Sequence, residues 1–200
     1  HLNVRESAVS KFCKAGPVLF ALEDKVEAEI GHLVKEGIYV PVPYSRWATP
    51  LVPVLKPNGQ VSLCRDYKYT VNQAVNREIY HMPTVEEIFS KLAGSSVFCK
   101  IDLSQAFQQL KLDDASQELV TVNTSKGLFR VTRLVYGISS SPAIFQREMD
   151  NLLSGIPGVV YFIDDVLISA ANSEQLNERL RETLGRPSRA GLRAQREKCV

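Results

Sequence analysis

The chain comprises 200 residues, of which 44% are hydrophobic and 23% are charged, a balance typical of a folded globular protein and not of a disordered segment. Lysine and arginine number 24 against 22 aspartates and glutamates, so the formal net charge is only +2. Overall charge therefore gives no reason to expect nucleic-acid binding. Positive charge is concentrated in residues 179–198, which contain seven basic residues and two acidic ones.

The sequence shows no sign of a membrane or secreted protein. No stretch reaches the roughly 18 apolar residues of a membrane span, and the N-terminus lacks the layout of a signal peptide. The four cysteines form no C-x-x-C pair and no zinc-ligand spacing with the three histidines. We therefore expect an intracellular chain, cytoplasmic or nuclear, with reduced thiols and no membrane partner, and we expect it to be a fragment of a longer protein.

The first third of the chain predicts one helix and one hairpin. Apolar residues at helical spacing over 22–34 predict an amphipathic helix that ends at Gly37. The proline-rich stretch that follows favours short extended pieces and turns. Within it, the apolar runs 51–55 and 61–63 flank Pro57-Asn58-Gly59, which predicts a β-hairpin because Asn-Gly is a strong short-range hairpin signal.

Helices and strands alternate irregularly in the middle of the chain. The patterns predict a helix over 85–92, a strand over 97–101 ending at Asp102, a helix or turn over 106–110, strands over 119–123 and 128–134, and a helix over 142–153. Because this order lacks the regular strand-then-helix rhythm of a parallel sheet, we predict the α+β class.

Two adjacent carboxylates interrupt an apolar, β-prone run. Residues 159–163 and 166–168 flank Asp164-Asp165, which predicts a tight hairpin with both carboxylates at its tip. Asp102 ends another such strand. Carboxylates and substrate phosphates together are typical ligands of Mg²⁺, and two such ions about 3.5–4 Å apart can serve phosphoryl transfer. A solvated Asp-Asp turn and a helix N-cap at Asp102 fit the same spacing.

Longer motifs surround these carboxylates and extend through the chain. They are residues 44–50, 54–59 and 66–68 upstream, Lys100–Gln109 around the first aspartate, Leu134–Gln146 with Tyr136-Gly137 and Ser141–Gln146, Phe162–Asp165, and Arg196–Cys199. Together, over about residues 11–199, they resemble the reverse transcriptases of gypsy-like long-terminal-repeat retrotransposon polyproteins, with Phe162 where the family has Tyr.

This resemblance implies an α+β right-hand polymerase with fingers and a palm, the palm containing a small antiparallel sheet flanked by helices. It implies fingers over 1–92, a palm with the first catalytic aspartate over 93–109, a return to the fingers with the substrate-binding motif over 110–146, and palm again over 147–200. The thumb and ribonuclease H domain of such a polyprotein would lie outside this chain. The implied reaction is template-directed addition of deoxynucleotides to a primer by two-metal phosphoryl transfer with two Mg²⁺ ions, and the implied partners are an RNA or DNA template with primer and deoxynucleoside triphosphates.

The resemblance also implies a role for individual residues. It implies catalysis and metal binding for Asp102, Asp164 and Asp165, nucleotide contact for Phe107, Gln146, Lys56 and Gly137, and packing against the primer end for Phe162. The ring of Phe107 would lie under the sugar and exclude a 2′-hydroxyl. The same residue types would also occur at these positions as ordinary core aromatics, solvated side chains and turn glycines with no role in nucleotide binding.

The sequence departs from the family at two places that bear on activity. Ser62 stands where the family commonly has a basic residue that contacts the triphosphate. The helix expected from about Ser173 contains Gly185-Arg186-Pro187, and an interior proline costs a helix about 3 kcal/mol. Either the helix ends near Leu184, or this copy of the retroelement is decaying. A retroelement remnant, degenerate or domesticated, that keeps the fold without polymerase activity is therefore the alternative.

Overall fold

The computed structural model describes the chain from His1 to Val200. Its α-helices are α1 (Glu23–Lys35), α2 (Val71–Ala74), α3 (Val85–Leu92), α4 (Asp114–Leu119), α5 (Ser141–Leu153) and α6 (Ser173–Arg189). Its strands are β1 (Tyr39–Val42), β2 (Thr49–Leu55), β3 (Val61–Arg65), β4 (Val97–Asp102), β5 (Val122–Thr124), β6 (Gly127–Val131), β7 (Val159–Phe162) and β8 (Asp165–Ala170). Short 3₁₀ turns cover Phe20–Leu22, Tyr67–Tyr69, Ala106–Gln109 and Arg196–Lys198.

The chain folds into two compact units, and each is built from two separate chain segments. The first unit is His1–Arg77 with Leu110–Ser141, and the second is Glu78–Gln109 with Pro142–Val200. Residues 78–92 and 142–146, which the resemblance places with the fingers, lie in the second unit. Both units combine helices with a mainly antiparallel sheet, so the predicted α+β class is confirmed.

The first unit is a five-stranded sheet in the order β1-β6-β5-β2-β3, antiparallel except where β2 pairs with β5. Helix α1 packs on β1 and β3 and buries Val26, Ile30 and Leu33 at helical spacing, as predicted. It is followed by Gly37 with φ +68°. The predicted hairpin is confirmed as β2–β3, whose turn contains Gly59 with φ +78°.

One pair of predicted strands in this unit has wrong boundaries. Leu119 ends helix α4 and is not in a strand, and β6 ends at Val131, three residues before the predicted end. The helix forms because the carboxylate of Asp113 caps it and accepts a hydrogen bond from the backbone N–H of Ser116 at 3.0 Å. A local side-chain cap thus outweighs the β-propensity of the apolar run.

The second unit contains a three-stranded antiparallel sheet in the order β4-β8-β7. Ile101, Val166 and Ile168 are buried, and helix α6 packs on β4 and β8. Helix α3 packs on β7, the strand at the edge of the sheet.

Helix α6 runs without a break through Pro187 to Arg189, so the first of the two alternatives, an end near Leu184, is wrong. Pro187 is buried in the last turns of the helix, where its missing N–H removes only one backbone hydrogen bond. The side chain of Arg186 supports these turns, since it donates to the carbonyl of Ser154 at 2.8 Å and to the carboxylate of Glu182 at 2.5 Å.

Helix α3 begins with a capping box, in agreement with the predicted helix. The hydroxyl of Thr84 accepts from the backbone N–H of Glu87 at 3.3 Å, and the backbone N–H of Thr84 donates to the Glu87 carboxylate at 2.8 Å. That backbone N–H, followed by the ring of His81, lowers the pKa of Glu87 below its ordinary value. None of the helices combines the length and apolarity that crossing a membrane requires.

Candidate active site

A row of three side chains, two carboxylates and one aromatic ring, crosses one end of the three-stranded sheet and is called here the carboxylate row. Asp102 is the cross-strand partner of Asp165, which is in turn the partner of Phe162. Directly opposed residues point to the same face of a sheet, and their sequence neighbours point to the other. Since the neighbours Ile101 and Val166 are buried, the row lies on the open face, where Phe162 is 43% exposed.

The hairpin between β7 and β8 places Asp164 beside this row. Because Phe162 pairs with Asp165, the two-residue loop is Ile163-Asp164, and the predicted loop Asp164-Asp165 is wrong by one residue. Two-residue hairpin loops need a positive φ at their first position, and Ile163 has φ +54°. The backbone N–H of Leu103, next to the end of β4, donates to the carbonyl of Asp164 at 2.9 Å and holds the loop in place.

Two lysines pair with the carboxylates of this row. The Nζ of Lys100 lies 3.0 Å from Oδ1 of Asp165, and the Nζ of Lys198 lies 3.7 Å from Oδ1 of Asp102. No group of three or more His, Cys, Asp or Glu side chains converges tightly enough in this structure to hold a metal ion. The backbone therefore brings the three predicted aspartates to one end of the sheet, while lysines neutralise two of the carboxylates.

Residues 193–200, called here the C-terminal segment, pair with the second edge of β4 and carry Lys198. The backbone N–H of Gln195 donates to the carbonyl of Asp102 at 2.8 Å. Lys100 and Val200 exchange two backbone hydrogen bonds at 2.7 and 3.0 Å. Both edges of β4 are consequently occupied, one by β8 and the other by this segment.

Gln109 holds the start of the C-terminal segment, a role that the sequence did not reveal. Its Nε2 donates to the carbonyls of Ser104 at 2.6 Å and Arg193 at 2.9 Å, and its Oε1 accepts from the backbone N–H of Arg193 at 2.5 Å. The amide thus bonds to both backbone groups of Arg193 as a neighbouring strand would. Its place in the Lys100–Gln109 motif was the only signal, and a motif does not name a partner 84 residues away.

Two predicted nucleotide contacts in the second unit have buried side chains. Phe107 is 4% exposed, and its ring stands edge-on to Phe145 with 5.4 Å between the ring centroids. Gln146 is 2% exposed, and its Nε2 donates to the carbonyl of Tyr161 at 3.4 Å while its Oε1 has no hydrogen-bond partner. Both side chains are therefore largely closed to solvent, although Gln146 also lines a cavity with His81, Glu87 and Tyr161.

The other two predicted nucleotide contacts, Lys56 and Gly137, lie in the first unit. Lys56 is exposed in the β2–β3 turn, where its backbone N–H donates to the carbonyl of Gln60 at 2.8 Å. Gly137 has φ +93°, and a Cβ there would stand 3.3 Å from the carbonyl oxygen of Arg65. Its carbonyl accepts a hydrogen bond from the side chain of Asn72 at 2.8 Å. Local backbone geometry therefore explains this glycine.

Comparison with known proteins identifies the family. The family model described as "Reverse transcriptase (RNA-dependent DNA polymerase)" matches residues 60–200. This range includes the whole carboxylate row and the two lysines that pair with it. The chain belongs to the reverse transcriptase family. A retrovirus-related Pol polyprotein from the Drosophila melanogaster transposon opus is 29% identical over 94% of this chain, and an uncharacterised Caenorhabditis elegans protein is 39% identical over 99% of it.

This reverse transcriptase chain spans only 19% and 16% of the lengths of those two relatives. Among solved structures, the foamy viral protease-reverse transcriptase in complex with an RNA/DNA hybrid superimposes with a TM-score of 0.88 at 23% identity, over all of this chain and 27% of the other. The native prototype foamy virus protease-reverse transcriptase gives a TM-score of 0.86 at the same identity, over 99% of this chain and 26% of the other. The reverse transcriptase fold is therefore shared.

The carboxylate row and the adjacent Asp164 have the donor chemistry of a divalent-cation site. Their side-chain donor atoms are carboxylate oxygens, the ligands that Mg²⁺ prefers in proteins. Two ammonium groups lie within 4 Å of these oxygens and supply the positive charge that a bound cation would supply. The residues present therefore fit Mg²⁺ in charge and ligand type, and Asp102, Asp164 and Asp165 are the side chains that could hold it.

Proposed function

We propose that this chain is the fingers and palm of a retroelement reverse transcriptase and that it adds deoxynucleotides to a primer on a template by two-metal phosphoryl transfer. The observation that supports this best is the direct cross-strand pairing of Asp102 with Asp165, next to the loop that carries Asp164. Three carboxylates at one sheet end are unfavourable without cations, and membership of the polymerase family gives that arrangement a use.

The three aspartates would hold two Mg²⁺ ions, which when bound activate the primer 3′-hydroxyl and neutralise charge on the triphosphate. The chain's own contribution is to fix the carboxylates. The β4–β8 ladder orients Asp102 and Asp165, and the hydrogen bond from Leu103 to the carbonyl of Asp164 positions the loop. Positioning of this kind supplies much of the rate enhancement in phosphoryl transfer.

The remaining proposed roles follow the placement of each residue. The half-exposed ring of Phe162 is in the carboxylate row and would pack against the primer end. Phe107 would exclude a 2′-hydroxyl with the rim of its ring, and Gln146 would contact the nucleotide after local movement. Lys56 and Gly137 would contact the nucleotide from the first unit, which we propose as the fingers, with the second unit as the palm.

The proposed partners are an RNA or DNA template with its primer and deoxynucleoside triphosphates. Solved structures with the same fold are of complexes with double-stranded DNA and with an RNA/DNA hybrid, which supports nucleic acid as the partner class. The chain is a small part of its curated relatives. We propose that a thumb and a ribonuclease H domain of the longer polyprotein complete the enzyme.

Primer extension tests the proposal. The chain and a longer polyprotein that contains it would be given an RNA template, a labelled primer, deoxynucleotides and Mg²⁺. We expect extension by the longer form, and a loss of about a hundredfold or more in Asp164→Asn and Asp165→Asn, because each removes a charged ligand. Asp114→Asn, an exposed aspartate on α4, is the matched control and should extend normally.

A remnant that keeps the fold without polymerising is the competing candidate, motivated by Ser62 in place of a basic triphosphate contact. It predicts no extension by either form even though both are folded. Restoration of extension by Ser62→Arg would show that one lost contact, worth about 1.5–3 kcal/mol, separates this chain from an active polymerase.

A further inference from the structure

We propose that Lys100 and Lys198 are built-in counter-cations of the catalytic carboxylates, which neutralise Asp102 and Asp165 when no metal is bound and leave when a divalent cation enters. The inference rests on the proposed function, because it concerns the same carboxylates. It adds a competition between protein side chains and metal for this site, so that metal affinity is set by the lysines as well as by the aspartates.

Lys100 is placed for this role by the register of the sheet. It is opposite Leu167 in the β4–β8 ladder, while Asp165 is opposite Asp102. Lys100 and Asp165 are therefore diagonal neighbours on the open face, a separation that long side chains span. The 3.0 Å distance between Nζ and Oδ1 is that of a close ion pair.

Lys198 reaches the site by a different route. The C-terminal segment carries it, and that segment is fastened to β4 by the backbone bond from Gln195 to Asp102 and by the Gln109 amide. The side chain of Asp102 is only 16% exposed, while that of Lys198 is 59% exposed. The carboxylate is thus removed from most of its solvent and needs a positive partner, whereas the ammonium group can return to water without cost to packing.

Charge balance gives the competition its direction. Asp102 and Asp165 face each other directly, and like charges at opposed positions destabilise a sheet. The two lysines together supply two positive charges, which is the charge of one divalent cation. The two ammonium groups and a metal ion would compete for the same carboxylates, so we expect metal binding to displace both lysines.

Removal of the lysines should therefore tighten metal binding and weaken the metal-free fold. Exposed ion pairs have modest strength, so we expect Lys100→Met and Lys198→Met each to increase Mg²⁺ affinity about two- to fivefold, and the double variant to combine the two effects. The metal-free melting temperature should fall in the double variant, while the melting temperature at saturating Mg²⁺ should equal that of the unmutated chain. Lys100→Arg, which keeps the charge, should behave like the unmutated chain.

Calorimetric titration with Mg²⁺ and with Mn²⁺, together with thermal unfolding at low ionic strength, measures both quantities without any polymerase assay. Lys91→Met, on helix α3 of the same unit, controls for the loss of any lysine, and Asp165→Asn shows whether the metal binds at this site. Unchanged Mg²⁺ affinity in the double variant, or an equal increase in Lys91→Met, overturns the counter-cation role alone. Equal Mg²⁺ binding by Asp165→Asn and the unmutated chain overturns the proposed metal site itself.

Discussion

Replacement of Gln109 by alanine gives the sharpest test of how the C-terminal segment is held. The side chain makes three hydrogen bonds, two of them to Arg193 and one to Ser104. Each bond contributes about 0.5–1.5 kcal/mol net. The two bonds to Arg193 are exposed, so water replaces part of their contribution, whereas the bond to Ser104 is partly buried. We therefore expect Gln109→Ala to lower the free energy of unfolding by about 2 kcal/mol.

The neighbouring residue offers a matched control. Gln108 has the same side chain, but its Oε1 is buried without a hydrogen-bond partner, so Gln108→Ala removes a desolvated polar atom and should cost little. Urea unfolding followed by circular dichroism gives both free energies, and hydrogen exchange should show faster exchange of the Arg193 and Gln195 amides only in Gln109→Ala. Equal losses of stability in the two variants, or unchanged exchange at Arg193, would refute the role of Gln109.

Four further predictions concern the backbone and the N-terminal cap of helix α3. Ile163→Asn should raise stability by about 0.5–1 kcal/mol in thermal unfolding, because Asn adopts a positive φ more readily than a β-branched residue; a loss would contradict strain in the hairpin. Gly137→Ala should cost more than Gly59→Ala, since both have positive φ but only the first places a Cβ against a backbone carbonyl; equal unfolding midpoints would argue against that close contact. Thr84→Ala should cost about 1 kcal/mol through loss of the cap. Because folding lowers the pKa of Glu87, the stability from its carboxylate is complete above its ordinary value of 4.5 and disappears as pH falls through the lowered value, so Glu87→Gln should be destabilising at neutral pH and not in stronger acid. A pH-independent cost would contradict this assignment.

The aspartates of the candidate site could be predicted because local patterns determine where they stand. Asp102 ends a short apolar strand, and Asp164 and Asp165 interrupt another, so any antiparallel pairing of these strands in register brings them together. The one-residue error in the loop arose because apolar Ile163 reads as strand, whereas the turn needs its backbone at positive φ. Pattern alone does not show which residue will accept that conformation.

Residues whose roles depend on distant partners could not be predicted. In the sequence, Lys198 and Gln109 look like ordinary charged and polar residues. Lys198 gains its role because the C-terminal segment pairs with β4, and Gln109 gains its role because the fold places Arg193 beside it. Likewise, the bond from Arg186 to the carbonyl of Ser154, which supports α6 beside Pro187, joins residues 32 positions apart. Sequence periodicity carries no information about such tertiary hydrogen bonds.

The division of each unit between two chain segments has a consequence for synthesis. All residues of the first unit have been synthesised once residue 141 is added. Strand β4, in contrast, has no pairing partner on either edge until β8 and the C-terminal segment have been synthesised. During that interval β4 is an open strand edge that another chain could pair with. Long-range strand pairing of this kind folds slowly, so a ribosome-bound chain interrupted before Asp165 would expose β4, and chaperone binding or aggregation of nascent chains should concentrate on that stretch.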